Sequence, residues 1–258
     1  MNHARSKDDR VKRHSPRTSA EEMPAEVIKK KLQTCTWPRL SAPYDTALQQ
    51  AVIFIFQHVP DLVAITVSGT IIRGTPAASS DLDIYVIRRR PERQRIQRWF
   101  NDVPAEIFIN PAHQVPRYLD REHKSARPIT AHMLATSFTI YSTGETLAEI
   151  KALAQAALNR HPGLSAEQLT AARYMAAARL EDGLDMLDER PETAMMILTL
   201  AVYDMLHYRF LMTNQFRPRD KDLLDRLAAL DAPLAARAKA FFRASSPQDA
   251  AILAKRIA

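Results

Sequence analysis

Between two short runs of β-branched and apolar residues, Leu62–Val67 and Leu82–Ile87, the chain carries Ser68-Gly69-Thr70, then Arg73-Gly74, then Asp81-Leu82-Asp83. Asp81 and Asp83 stand two positions apart at the entry to a predicted strand, so their side chains share one face and can ligate the same hard cation. Gly69 admits a positive φ or a close approach of a phosphate to the backbone, and Thr70 offers a hydroxyl and an N–H at the same corner, which together can hold an anion. A third acid, Glu106, lies in Val103–Ile109, a run otherwise built for burial. An acid in such a place needs a partner. If the strands pair, the three carboxylates converge, and one or two Mg²⁺ ions are the natural partner, an arrangement suited to in-line displacement at phosphorus.

The elements that must position these groups are legible in outline. Leu48, Val52, Ile55, Phe56 and Val59 recur at helical spacing, with Asp45 as the expected N-cap. The runs at 62–67, 82–87 and 103–109 read as strands, with an Arg-rich helix at roughly 93–101 between the last two. Residues 113–135 read as short helices broken at Pro116 and Pro128, and Thr139–Thr143 as a last strand before Gly144. Beyond it the pattern is helical: Leu147–Leu158, Ser165–Glu189, Glu192–Thr213, Asp220–Leu230, Ala232–Phe242 and Pro247–Ile257. Ser165 followed by Gln168 has the spacing of a capping box. The expected organisation is a basic tail at 1–24, an α/β domain at 25–145 and a helical bundle domain at 146–258.

The string from Gly69 to Asp83 resembles the signature of nucleotidyltransferases of the DNA polymerase β superfamily. There Gly-Ser opens a loop, an Asp-apolar-Asp follows about ten residues later, and a further acid comes from the third strand. The match covers roughly residues 45–110, and the helical half is similar in layout to small aminoglycoside adenylyltransferases. Thr70 stands where the family usually has Ser, and Glu106 where Asp is common. The resemblance implies an α+β fold, a small nucleotidyltransferase sheet with flanking helices followed by an all-α bundle. It also implies transfer of a nucleoside monophosphate, AMP from Mg·ATP, to an acceptor hydroxyl with release of pyrophosphate. Asp81, Asp83 and Glu106 would be the catalytic metal ligands, with two ions expected. Glu106 would also accept the hydroxyl proton, and Ser68, Gly69, Thr70 and Arg73 would contact the nucleotide. Lys221, just after the break at Pro218, would reach across the cleft to the triphosphate.

The acceptor is less sharply drawn. Tyr203, Asp204, His207 and Tyr208 form a polar cluster on an otherwise apolar helix, with Asp204, His207 and Tyr208 at i, i+3 and i+4, where they would line an acceptor pocket. Against that stands a core histidine packed beside aromatics. Glu181, Asp182 and Asp185 would suit a cationic, aminoglycoside-like acceptor if they are not simply a solvated face. Arg88, Arg89, Arg90, Arg93, Arg95 and Arg98 would suit tRNA, yet such a run is expected to be a solvated face directed away from the metals. A protein hydroxyl is a further acceptor, and a nucleotide-binding or partner-binding module without turnover is the alternative of a different class.

Composition bounds these readings. The chain has 258 residues, 46% hydrophobic and 25% charged, globular proportions that exclude a fibrous or disordered protein. Of the net charge of +7, more than half sits in residues 1–20, where six Lys and Arg face two acids, so that stretch is expected to be a disordered tail. With Cys35 the only thiol, internal disulfides and four-thiolate zinc sites are excluded, and a reducing cytoplasm is expected. The longest apolar runs fall well short of the ~20 residues that span a bilayer, so no membrane partner is expected.

Overall fold

The computed structural model describes residues 23–258; the expected basic tail falls outside them except for Met23, packed against the core, and Pro24. The chain is α+β. Two helices, α1 (Ala25–Gln33) and α2 (Ala42–His58), precede β1 (Leu62–Ser68), β2 (Leu82–Arg88), β3 (Gln94–Phe100) and β4 (Val103–Pro111). Then come α3 (Val115–Lys124), α4 (Ile129–Ala135), β5 (Phe138–Ser142) and α5 (Thr146–Asn159). Five more helices follow: α6 (Ala166–Asp185), α7 (Pro191–Met212), α8 (Leu223–Leu230), α9 (Ala232–Phe241) and α10 (Pro247–Ile257).

The strands form one mixed sheet in the order β3-β4-β2-β1-β5, with β2 and β4 parallel and every other neighbouring pair antiparallel. Both faces are covered, which is why β1 is apolar almost throughout. On one face Ile65, Leu82, Ile84, Val86 and Ile107 pack against Leu48, Val52, Ile55 and Phe56 of α2. On the other, Val63, Tyr85 and Ile87 pack against Val115, Leu119, Leu134, Leu147 and Ile150 of α3, α4 and α5. A further core lies within the C-terminal helices, around Leu198, Val202, Leu206, Phe210, Leu227 and Phe241. Among the described residues α7 alone is long and apolar enough to cross a membrane, and its buried Leu198, Val202, Leu206 and Phe210 belong to that core.

Most predicted elements stand, with four revisions. The Arg-rich segment is the edge strand β3, not a helix. Asn101 and Asp102 both adopt positive φ, 45° and 58°, the pattern of a tight primed turn that folds β3 back on β4. The helix expected from Asp45 begins three residues earlier, after Ser41, and Asp45 instead accepts a hydrogen bond from Gln49 Nε2 at 2.8 Å. Pro116 does not break a helix. It occupies the first turn of α3, where a missing N–H costs nothing, whereas Pro128 does separate α3 from α4. Finally, Asp220–Asp222 is a 3₁₀ turn ahead of α8. The capping box at Ser165 and Gln168 is formed in both directions.

Candidate active site

The loop from β1 to β2 and the pairing of β2 with β4 bring Asp81, Asp83 and Glu106 together. Asp83 pairs with Ser68 of β1 on one side and with Glu106 of β4 on the other, so these side chains form one row across the sheet. Gln97 of β3 extends the row, since it pairs with Glu106. Asp81 precedes β2 by one residue, and one carboxylate oxygen each from Asp81, Asp83 and Glu106 lies within 4.8 Å of the others.

Gly69 is required twice over. Its φ is +94°, and a Cβ there would lie 2.7 Å from Asp83 Oδ2. The backbone after it folds into turns, with the Arg73 N–H donating to Gly69 O at 3.2 Å and the Thr75 N–H to Thr70 O at 3.0 Å. Ser80, absent from the sequence expectations, ties this loop shut: its hydroxyl accepts from the Ala77 N–H at 2.8 Å and meets Thr70 Oγ1 at 2.9 Å. Ser68 Oγ is buried and has no hydrogen-bond partner among the described residues. The glycine lets the Asp83 carboxylate lie against the turn, and an orphaned hydroxyl beside it is a feature of a ligand cradle.

The electrostatics point the same way. Burial first, then the neighbouring Asp81 and Glu106 carboxylates, push the Asp83 pKa up to about 6, while Lys221 and Arg73 pull it down. Three carboxylates held this close, with oxygen donors only, fit a hard divalent cation that would relieve their repulsion. Lys221 comes from the loop after α7, which is pinned against the α3–α4 corner. There the Arg217 N–H donates to Ala126 O at 2.9 Å and its guanidinium to Ser125 O at 2.7 Å, while Tyr203 Oη donates to Asp220 Oδ1 at 2.6 Å.

Two neighbours were not anticipated. Arg95 of β3 forms an ion pair with Glu106 through Nε and a terminal nitrogen, and Gln97 Nε2 donates to the same Oε1 at 3.2 Å. The arginine run is therefore not directed wholly away from the carboxylates, because the hairpin returns its middle member to them. The turn-forming Asn101-Asp102 pair was the available signal. Arg88, by contrast, is neutralised by Asp61 at 2.8 Å.

The expected acceptor pocket is split. Asp204 is ion-paired with Arg179 of α6, whereas His207 packs edge-on against Tyr203 with Nε2 4.0 Å from Asp220. Tyr208 is half-buried, and Glu181, Asp182 and Asp185 are exposed on α6. His207 is not a satisfied core histidine either: it is 6% exposed and neither ring nitrogen has a hydrogen-bond partner. Burial and the nearby Arg217 lower its pKa to about 4, against an opposing pull from Asp220.

No family model matches the chain, and no curated protein matches it. Among solved structures, a nucleotidyltransferase-like protein from Exiguobacterium sibiricum 255-15 aligns with a TM-score of 0.49 and 14% identity, over 81% of this chain and 74% of its own. What this chain does has to be drawn from its own carboxylates and turn.

Proposed function

We propose that the chain is a metal-dependent nucleotidyltransferase that moves a nucleoside monophosphate, AMP from ATP, onto the hydroxyl of an acceptor. The convergence of Asp81, Asp83 and Glu106 beside the glycine corner carries this reading. Mg²⁺ held by these acids would polarise the α-phosphoryl group and offset the charge that develops during displacement. Gly69 and Thr70 receive phosphate oxygens at the turn after β1, where the absence of a Cβ keeps Asp83 close to the backbone. Arg73 and Lys221, already within electrostatic reach of Asp83, hold the polyphosphate. The acceptor oxygen bonds to the α-phosphorus as the α–β bridging bond breaks, the bond pair leaves with pyrophosphate, and Glu106 accepts the hydroxyl proton. Arg95 has a side chain 60% exposed against 15% for Glu106, so it is free to swing off as cationic charge arrives at the carboxylates.

The test is incubation with Mg²⁺ and ATP labelled at the α-phosphate, offered an aminoglycoside panel, bulk tRNA, oligonucleotides and protein extract. Label transfer with pyrophosphate release, lost in Asp81→Asn/Asp83→Asn, is expected. ATP binding without either product, in the presence of every acceptor, would replace the enzyme with a nucleotide-binding module.

A further inference from the structure

Beside the three carboxylates, on the same face of the sheet, the edge strand β3 carries Arg95 and an unburied aromatic, and the row continues past the start of the strand with Arg93 and with Arg121 of α3. Trp99, Gln97 and Arg95 alternate onto the Glu106 side, since Trp99 pairs with Pro104, Gln97 with Glu106 and Arg95 with Phe108. Trp99 is 68% exposed. Arg95 lies with its guanidinium carbon 5.3 Å from the Phe108 ring centroid. Further along, Arg93 and Arg121 approach the single ring of Tyr118 at 4.9 and 5.8 Å. Among the described residues no carboxylate forms a salt bridge with Arg93 or Arg121. Two guanidinium groups over one ring, with no salt-bridge partner among the described residues, are held ready for anions.

We propose that this row is the acceptor site and that the acceptor is a single-stranded nucleic acid, its phosphates on Arg121, Arg93 and Arg95 and a base stacked on Trp99, so that its terminal ribose hydroxyl reaches the carboxylates. The assignment of a hydroxyl to those carboxylates rests on the nucleotidyltransferase reading above; the binding row itself does not. Three features select this ligand over a small cation. The charge is positive, where an aminoglycoside needs acids. From Arg95 to Trp99 the strand rises four residues at about 3.3 Å each, roughly 13 Å, and Arg93 and Arg121 extend the row beyond its start. An aromatic face beside arginines is the sequence-tolerant means of holding unpaired bases. The row also approaches the carboxylates through Glu106, whereas Arg73 and Lys221 act on Asp83, so donor and acceptor need not compete. When cationic charge displaces Arg95 from Glu106, that guanidinium becomes available to the acceptor's last phosphate. The bonds made and broken are those already stated: hydroxyl oxygen to α-phosphorus, with pyrophosphate leaving.

The experiment measures binding of a fluorescent 12-residue single-stranded RNA to the full chain by anisotropy, without metal or ATP, over a salt series. Trp99→Ala is expected to weaken binding about tenfold, with Trp99→Phe restoring most of it. Arg93→Gln/Arg121→Gln is expected to reduce the slope of log affinity against log salt by about 1.4, since each phosphate contact contributes about 0.7 on a single strand. A charge-matched control, Arg243→Gln/Lys255→Gln, in the turn after α9 and in α10, should leave both quantities unchanged. Equal losses in the two double variants, or no binding at low salt, overturn the proposal. Adding Mg²⁺ and labelled ATP separates the two readings. Binding with the expected dependence but no label on the RNA upholds the row and overturns the reaction. Label on an aminoglycoside or a protein, unaffected by Arg93→Gln/Arg121→Gln, upholds the reaction and overturns the row.

Discussion

Asp83 should be a liability to the metal-free protein and a necessity to the loaded one. Its pKa is pushed from the usual 3.8 to about 6, first by burial and then by Asp81 and Glu106. A folded-state value above the unfolded one means that the protonated form suits the fold. The penalty is absent below about pH 4, develops as pH rises through 6, and is complete at neutral pH. Two units correspond to about 3 kcal/mol, and partial solvent access at the site reduces this to about 1–2 kcal/mol. Asp83→Asn, which removes the charge but keeps the shape, should therefore stabilise the metal-free chain at pH 7.5. At roughly 2–4 °C per kcal/mol, the rise in Tm is about 2–8 °C.

The assay is thermal unfolding of both proteins at pH 4.5 and 7.5, each with chelator and with Mg²⁺. The gap between them should narrow to about a third at pH 4.5. Mg²⁺ should raise the wild-type Tm, by an amount equivalent to about 2.7 kcal/mol at a hundred times Kd, and leave Asp83→Asn nearly unmoved. An Asp83→Asn protein that is no more stable than wild type at pH 7.5, or that gains as much from Mg²⁺, would refute the account of three mutually repelling carboxylates awaiting a cation.

Other substitutions test other parts of the structure. Gly69→Ala forces a Cβ to within 2.7 Å of Asp83 Oδ2 at a φ of +94°, so it should cost about 1–3 kcal/mol in urea unfolding and abolish the Mg²⁺-dependent Tm gain. Lys221→Gln should raise KM for the nucleotide about tenfold, the worth of one charge-assisted contact, with unfolding unaffected. Gly183→Ala would bring a Cβ to 2.9 Å from Leu198 Cδ2 where α6 crosses α7; a net loss of about 1–2 kcal/mol is expected from equilibrium unfolding, overpacking outweighing the helix propensity of alanine. His207 titrates in the opposite sense to Asp83: its pKa is depressed from 6.5 to about 4, so the stability it confers is present above pH 6.5 and lost as pH falls through 4. His207→Leu should flatten the acid limb of the Tm profile, whereas Asp83→Asn should steepen it.

How much of this was legible in the sequence depends on the range over which the information is encoded. Asp81, Asp83 and the glycine corner lie on one strand-loop-strand, where a period of two and a positive φ can be read from adjacent residues, and Glu106 needed only the inference that its strand pairs with β2. The edge strand was harder, because Ile96, Trp99 and Phe100 satisfy helical i, i+3, i+4 spacing while Ile96 and Phe100 alone satisfy the strand that forms. What decides between them is the pair Asn101-Asp102, whose tight turn rewards pairing with β4 over a helical turn. The error had a chemical consequence: a helix would have scattered the arginines around its axis, whereas the hairpin sets Arg95 and Gln97 on Glu106 and aligns Trp99 beside them. Lys221 was named from its place after Pro218, but its approach to Asp83 depends on Arg217 reaching Ser125 across a separation of 92 residues. That contact uses a backbone carbonyl at a corner where Ala126 takes a φ of 53°, and no side-chain pattern encodes either end of it. Short-range spacing thus identified the groups that would bind metal, while the groups that would orient them and choose the acceptor are set by a hairpin turn and a loop docked from the far half of the chain.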